Sequence, residues 1–165
     1  MSIGQRYAAE LEREAVSTKK MLERVPDDLT WAPHEKSTTL GNLATHIATL
    51  PGMIKTVINE NGLDFATRPY SPPAFANGEQ MASAFAENVS EAISLLNEVS
   101  DEDLSKNWSL SSGEHVIFDL PRVAVLRTMV MSHLLHHRGQ LSVYLRLKNV
   151  PLPSVYGPTA DEQTM

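Results

Sequence analysis

The chain has 165 residues, 42% hydrophobic and 21% charged, with a formal net charge of -6. That is room for one domain over residues 1–165, and it excludes the basic surface excess that nucleic-acid binding uses. Cysteine is absent, which excludes disulfides, thiolate-ligated zinc and a cysteine nucleophile and fits a reducing, cytoplasmic setting.

Ile3, Tyr7, Leu11, Ala15, Thr18, Leu22 and Val25 recur at helical spacing and predict a first helix over about residues 3–25, ended by Pro26. No signal-peptide core precedes it and no apolar run is long enough to span a bilayer, so no membrane partner is expected. A second helix starts near Ser37, Thr38 and Thr39 with Leu43, His46, Leu50, Met53 and Val57 inward. Pro51 removes a backbone donor inside this pattern and should kink or restart it. Residues 62–77, with three prolines, Phe65 and Tyr70, read as a long ordered loop of the kind that covers a pocket. Asn77 as N-cap, with Gln80 at the capping-box position, opens a third helix to about Val99. Asp101 to Leu104 add a turn, and Trp108 to Phe118 alternate as a short hairpin about Ser112-Gly113. Asp119 is the expected cap of a last helix, with Pro121 in its first turn and Pro151 enforcing its stop. An extended tail follows. The fold expected is all-α, a four-helix bundle with long inter-helix loops.

The chemistry concentrates in the last helix. His133 and His137 are four residues apart, about 40° on the helical wheel, in the arc of Leu126, Val130 and Tyr144. They therefore lie on the core stripe, where each ring nitrogen needs a partner. His46 lies among Leu43, Leu50 and Val57 and has the same need. Three inward imidazoles suit an open metal site, although an inward histidine is more often a hydrogen-bonded core residue and one i,i+4 pair is a weak motif. Asn42, His136 and Gln140 are candidates for the hydrogen bonds around such a site. Arg138 reads as a surface or salt-bridge residue, His34 and His115 as exposed loop residues, and the seven methionines as core filler. Leu135 and Met131 form an apolar back to the last helix, fit for the long loop or a second subunit.

Beside these readings stands a resemblance. Residues 133–146, HLLHHRGQLSVYLR, with VPLPSVYGPTADE after them, resemble the C-terminal signature of the DinB-like proteins. Upstream, LTWAPHEKSTTLG and TLGNLATHIATLPG resemble that family's approach to, and first turns of, its second helix. The resemblance covers nearly the whole chain. It implies a four-helix bundle of unusual connectivity, often a homodimer, and a divalent metal, commonly nickel or zinc, on three histidines. Carried over residue by residue, the ligands are His46, His133 and His137. The wider superfamily includes bacillithiol S-transferases and a mycothiol-dependent maleylpyruvate isomerase. A metal-dependent transfer of a low-molecular-weight thiol to a small-molecule electrophile is therefore the leading expectation. A metal-dependent hydrolase using bound water, and a noncatalytic metal-binding stress-response protein, stand as alternatives. Ligand rings must be neutral, so metal should be lost as pH falls below about 6.

Overall fold

The computed structural model describes residues 1–163. Helix α1 (Ile3–Glu23) starts on a capping box in which Ser2 and Gln5 bond each other's backbone N–H. Helix α2 (Leu40–Thr49) is capped by the Thr39 hydroxyl, which accepts from Asn42 N–H. Pro51 acts as expected: Leu50–Gly52 make a 3-10 turn and α3 (Met53–Asn59) restarts beyond it. Helix α4 (Gly78–Glu98) opens on Asn77, whose side chain accepts from Gln80 N–H. The Gln80 side chain reaches one residue further back than a capping box requires and accepts from Ala76 N–H. A short α5 (Asp101–Ser105) follows, capped by Ser100.

The all-α expectation needs correction: the protein is mainly helical and carries a small three-stranded sheet in the order β1-β2-β3. Strands β2 (Asn107–Ser112) and β3 (His115–Pro121) form the anticipated hairpin, with His115 in a strand rather than a loop. Strand β1 (Gly62–Asp64) joins β2 in parallel, with Leu63 opposite Leu110. Gly62 is required there, because a Cβ would stand 2.6 Å from the Ser109 carbonyl oxygen. The Asp64 carboxylate accepts from Gly113 N–H at 2.8 Å and Ala66 N–H at 2.9 Å, and Phe65 N–H donates to the Ser111 carbonyl. The start of the 62–77 loop is thereby tied to the hairpin.

The last helix also departs from expectation. Asp119 is not its cap; the hairpin register carries the strand through to Pro121, paired with Asn107, and the Asp119 carboxylate bonds the Asn107 side chain. Helix α6 (Arg122–Val125) begins directly after Pro121. A π-helical stretch, Leu126–Ser132, then leads into α7 (His133–Leu147). The Arg122 guanidinium is buried and donates to the carbonyls of Val57, Glu60 and Asp103 and to Asn61 Oδ1. It thus satisfies carbonyls at the open end of α3 and ties that end to the start of α6. Asn149, at φ 57°, turns the chain out of α7, and Pro151 follows.

Helix α1 packs on α4 and α7, and α2 packs on the same two helices. Leu11, Leu22, Leu43, Ile47, Phe85, Leu96, Leu126, Leu134 and Leu141 fill the space between them. No described helix is long and apolar enough to cross a membrane. The tail folds back along α1 and α7: Arg24 donates to the Pro151 carbonyl, and Glu162 accepts from Arg24 and from Ser154 N–H. Of the tail expected to be extended, Thr164 and Met165 lie outside the described residues.

Candidate metal centre

The contact between α2 and α7 brings together imidazoles that are 87 residues apart in sequence. His46 Nε2 lies 3.3 Å from His133 Nε2, and His137 Nε2 lies 2.7 Å from His133 Nε2. One nitrogen from each of the three rings falls within 4.8 Å of the others, and all three residues are half-buried. Nitrogens held tetrahedrally at about 2.1 Å from an ion stand about 3.4 Å apart. The first spacing already matches; the second needs a small opening.

The outer nitrogens are held as well. His133 Nδ1 faces the Met129 carbonyl oxygen at 3.3 Å, His137 Nδ1 faces Gln140 Oε1 at 2.7 Å, and His46 Nδ1 faces the Tyr70 hydroxyl at 3.4 Å. A carbonyl oxygen only accepts, so the proton of neutral His133 sits on Nδ1 and its Nε2 is a bare lone pair. The same reasoning applies to His137 through the Gln140 amide oxygen. In these tautomers both Nε2 lone pairs face the cluster, the form in which imidazole binds a cation. Imidazole ligands of metals are oriented in this way, by an acceptor on the far nitrogen. The π stretch contributes directly. The backbone N–H of His133 goes to Val130, and the ring faces the Met129 carbonyl from the same turn.

Electrostatics favour neutral rings. Burial, and then the neighbouring His137 and His133, pull His46 down to about 4. Burial also lowers His137, against the raising effect of Gln140. The folded metal-free chain therefore binds fewer protons than the unfolded chain between about pH 6.5 and 4, and its stability falls as pH drops through that window. Thermal melts of metal-free protein at steps from pH 7 to 4 should show this decline, with a shallower slope for His46→Asn. Equal slopes would contradict it. Proton competition at these two rings begins below the ordinary histidine range, so metal should persist to lower pH than the sequence alone suggested.

Beside the rings opens a pocket of about 250 Å³. Its wall is mainly apolar, from Leu50, Met53, Leu63, Phe65 and Met129, with Tyr70 and the edges of His46 and His133 on one side. Among the described residues, no carboxylate lines it. The 62–77 loop, expected to cover a pocket, supplies Leu63, Phe65 and Tyr70.

The remaining candidates are placed as follows. Gln140 is an outer partner of His137. His136 is exposed, its ring centroid 5.0 Å from that of His137. Asn42 is exposed and serves the cap of α2 through its backbone; its side chain makes no hydrogen bond to a ring among the described residues. Arg138 is not a surface residue: it is buried and bonded to α1, as taken up below. Met131 is buried and Leu135 faces the tail, so the apolar back of the helix is used within the chain and lends the expected homodimer no support. Of the methionines taken as filler, Met53 and Met129 line the pocket. Sequence reasoning missed Tyr70 and the Met129 carbonyl as ring partners. Only the loop's aromatic content hinted at the former.

Comparison with known proteins agrees with this architecture. A family model described as the DinB family matches residues 1–164. An uncharacterised protein of Bacillus subtilis, YrdA, is 24% identical over 153 residues, which is 92% of this chain and 86% of that protein. The crystal structure of a DinB-like protein from Bacillus subtilis superposes with a TM-score of 0.70 at 20% identity, covering 96% of this chain and 99% of that one. A DinB-like protein from Bacillus cereus ATCC 10987 gives 0.68 at 26% identity, covering 91% and 95%. With a family model spanning all but the last residue, and three imidazoles clustered between two helices, the chain belongs to the DinB family.

Proposed function

We propose that this protein is a divalent-metal enzyme that transfers a low-molecular-weight thiol to a small electrophile. The carrying observation is the convergence of three imidazole nitrogens whose outer nitrogens are already bonded to Met129, Gln140 and Tyr70. His46, His133 and His137 would hold the ion; imidazole ligands accept zinc, nickel, copper or iron, and the family resemblance favours nickel or zinc. When bound, such an ion keeps its full charge and open positions and lowers the pKa of a thiol or water placed there.

The protein's own residues do the rest. Gln140 and the Met129 carbonyl fix two rings in the binding tautomer, and Tyr70 braces the third. The apolar wall keeps bulk water from the electrophile and holds it beside the sulfur. The thiol proton passes to solvent. A sulfur–carbon bond forms as the bond to the leaving group breaks, and the leaving group departs with that electron pair. Absence of a carboxylate from the lining among the described residues favours thiol over water, since hydrolysis at a metal commonly enlists a carboxylate base. Absence of cysteine from the chain means that the sulfur comes from a cosubstrate.

Elemental analysis of protein purified without an affinity tag should find about one divalent ion per chain. A screen of cellular thiols against an activated halide should show turnover that chelation abolishes. Turnover that survives chelation would overturn the reading. Ester or amide hydrolysis without thiol would turn it towards the hydrolase, and a stoichiometric ion with no turnover of either kind towards a noncatalytic metal protein.

A further inference from the structure

Helices α1 and α4 pack on each other, and the seam between them opens outward as a groove of about 340 Å³. Phe85 and Val89, both buried, and the half-buried Ala15 and Ile93 line it. Ala86 and Ser90 on the α4 side are small enough for a further helix to come close. Val16 stands on the α1 side and is 59% exposed. Between Ser83 and Asn97 the exposed side chains on this side of α4 are Ser83, Ser90, Ser94 and Asn97, and none is charged. An apolar furrow with an uncharged rim is unusual on a surface otherwise rich in Glu and Lys.

The two charged residues at the groove are of opposite sign, and both belong to α1: Glu12 and Lys19. Seven residues apart, they share one helix face about 10 Å from each other along the axis, with Ala15 and Val16 midway. Glu12 has no ion pair among the described residues, and Lys19 has only an exposed contact with Glu23, of little worth. A two-fold axis through that midpoint lays α1 antiparallel against α1 of a second copy. Each Glu12 then meets Lys19 of the second copy, and each Val16 lies over the other groove. A surface that is complementary to itself under such a rotation closes as a dimer. The order acid, small apolar pair, base is what favours a second copy over an unrelated helix. Size fits as well. Two 21-residue helices present a face about 31 Å long and about 20 Å wide, of the same order as the ~800 Å² per partner that stable complexes bury.

We infer that this chain associates with itself as a two-fold dimer through the α1–α4 groove, with Glu12 and Lys19 paired across the axis and Val16 of each copy seated in the groove of the other. In the ring of helix contacts, α1–α4 is the edge opposite α2–α7. Both histidine clusters therefore stay open to solvent in the dimer, and neither the dimer nor the metal centre depends on the other.

Sedimentation of the full chain, as purified, from low to high micromolar concentration should give twice the chain mass. Val16→Glu should leave a monomer with unchanged helical circular dichroism and unchanged metal content. Glu12→Lys alone and Lys19→Glu alone should each weaken association at least about tenfold, because like charges then face each other twice across the axis. The double variant, Glu12→Lys with Lys19→Glu, should recover the dimer to within a few-fold. A chain that stays monomeric throughout overturns the inference and leaves the groove to a helix of another protein. A dimer untouched by Val16→Glu, or a double variant as weak as either single one, overturns it too. Should Val16→Glu fail to fold, the charge exchange decides alone.

Discussion

Replacing His133 with alanine should remove metal from the protein. His133 is the shared member of the cluster: its Nε2 lies 3.3 Å from that of His46 and 2.7 Å from that of His137. Without it, the other two rings have no nitrogen between them, and two ligands on a half-buried surface cannot close a site. Affinity should fall by well over about a hundredfold, since loss of an outer partner alone typically costs about 10–100-fold. Gln140→Ala, which removes only the acceptor on His137 Nδ1, should fall in that lower range. Metal content by mass spectrometry and competitive titration with a chelating dye measure both. A His133→Ala protein that kept one ion per chain would show that the ion sits elsewhere. Because His133 is only half-buried, the variant should keep its helical circular dichroism, so loss of metal would not simply report unfolding.

Replacing Glu14 with alanine should be among the most destabilising single changes. Arg138 is 4% exposed at its side chain, and its Nη1 reaches Glu14 Oε2 at 2.7 Å. The same guanidinium donates to the Glu14 carbonyl, Ser17 Oγ and Thr18 Oγ1. Its Nη2 donates to the Tyr156 hydroxyl, which in turn donates to Glu14. This triangle joins α1, α7 and the tail. Removing the carboxylate leaves a buried cation without its counter-charge, which costs about 3–5 kcal/mol. For a chain of this length the midpoint of thermal unfolding should drop by roughly 10 °C. Glu14→Gln, which keeps a hydrogen-bonding oxygen, should cost less. A drop of under about 2 °C for Glu14→Ala would show that Arg138 is adequately held by its neutral partners. Arg138 follows His137 directly in α7, so the weakened variant should also release metal at a lower temperature.

Much of this was legible because it is local. The stripe from Ile3 to Leu22, the break at Pro51, the Asn77 cap and the hairpin about Ser112-Gly113 each carry a short-range signature. So did the histidine pair, because four residues on a helix place two side chains on one face. The rest depended on partners distant in sequence. Strand β1 is three residues long, too short to show a two-residue alternation, and exists because Ser109–Ser111 run alongside it. Asp119 looks like a helix cap until hairpin pairing claims it as strand. Arg138, beside two histidines, reads as a surface charge because its acceptors on α1 are over a hundred residues upstream. Tyr70 sits in a proline-rich loop with no periodicity to aim it, and the ties of Asp64 to Gly113 and of Phe65 to Ser111 hold the start of that loop near His46.

The π-helical stretch between Leu126 and Ser132 has a geometric corollary. A helix advances about 100° per residue, so the compass bearing of everything downstream depends on how many residues lie upstream. The upstream end is fastened by Arg122 to α3, and the downstream end by Arg138 to α1. Between two fixed anchors, the wide turn absorbs one surplus residue and so dials the histidine pair towards His46. Excising a single residue from the regular helix on either side, where there is no slack to absorb the change, would swing either the pair or an anchor by about a quarter-turn. The count of residues in that interval, as much as their identity, is what aims the site.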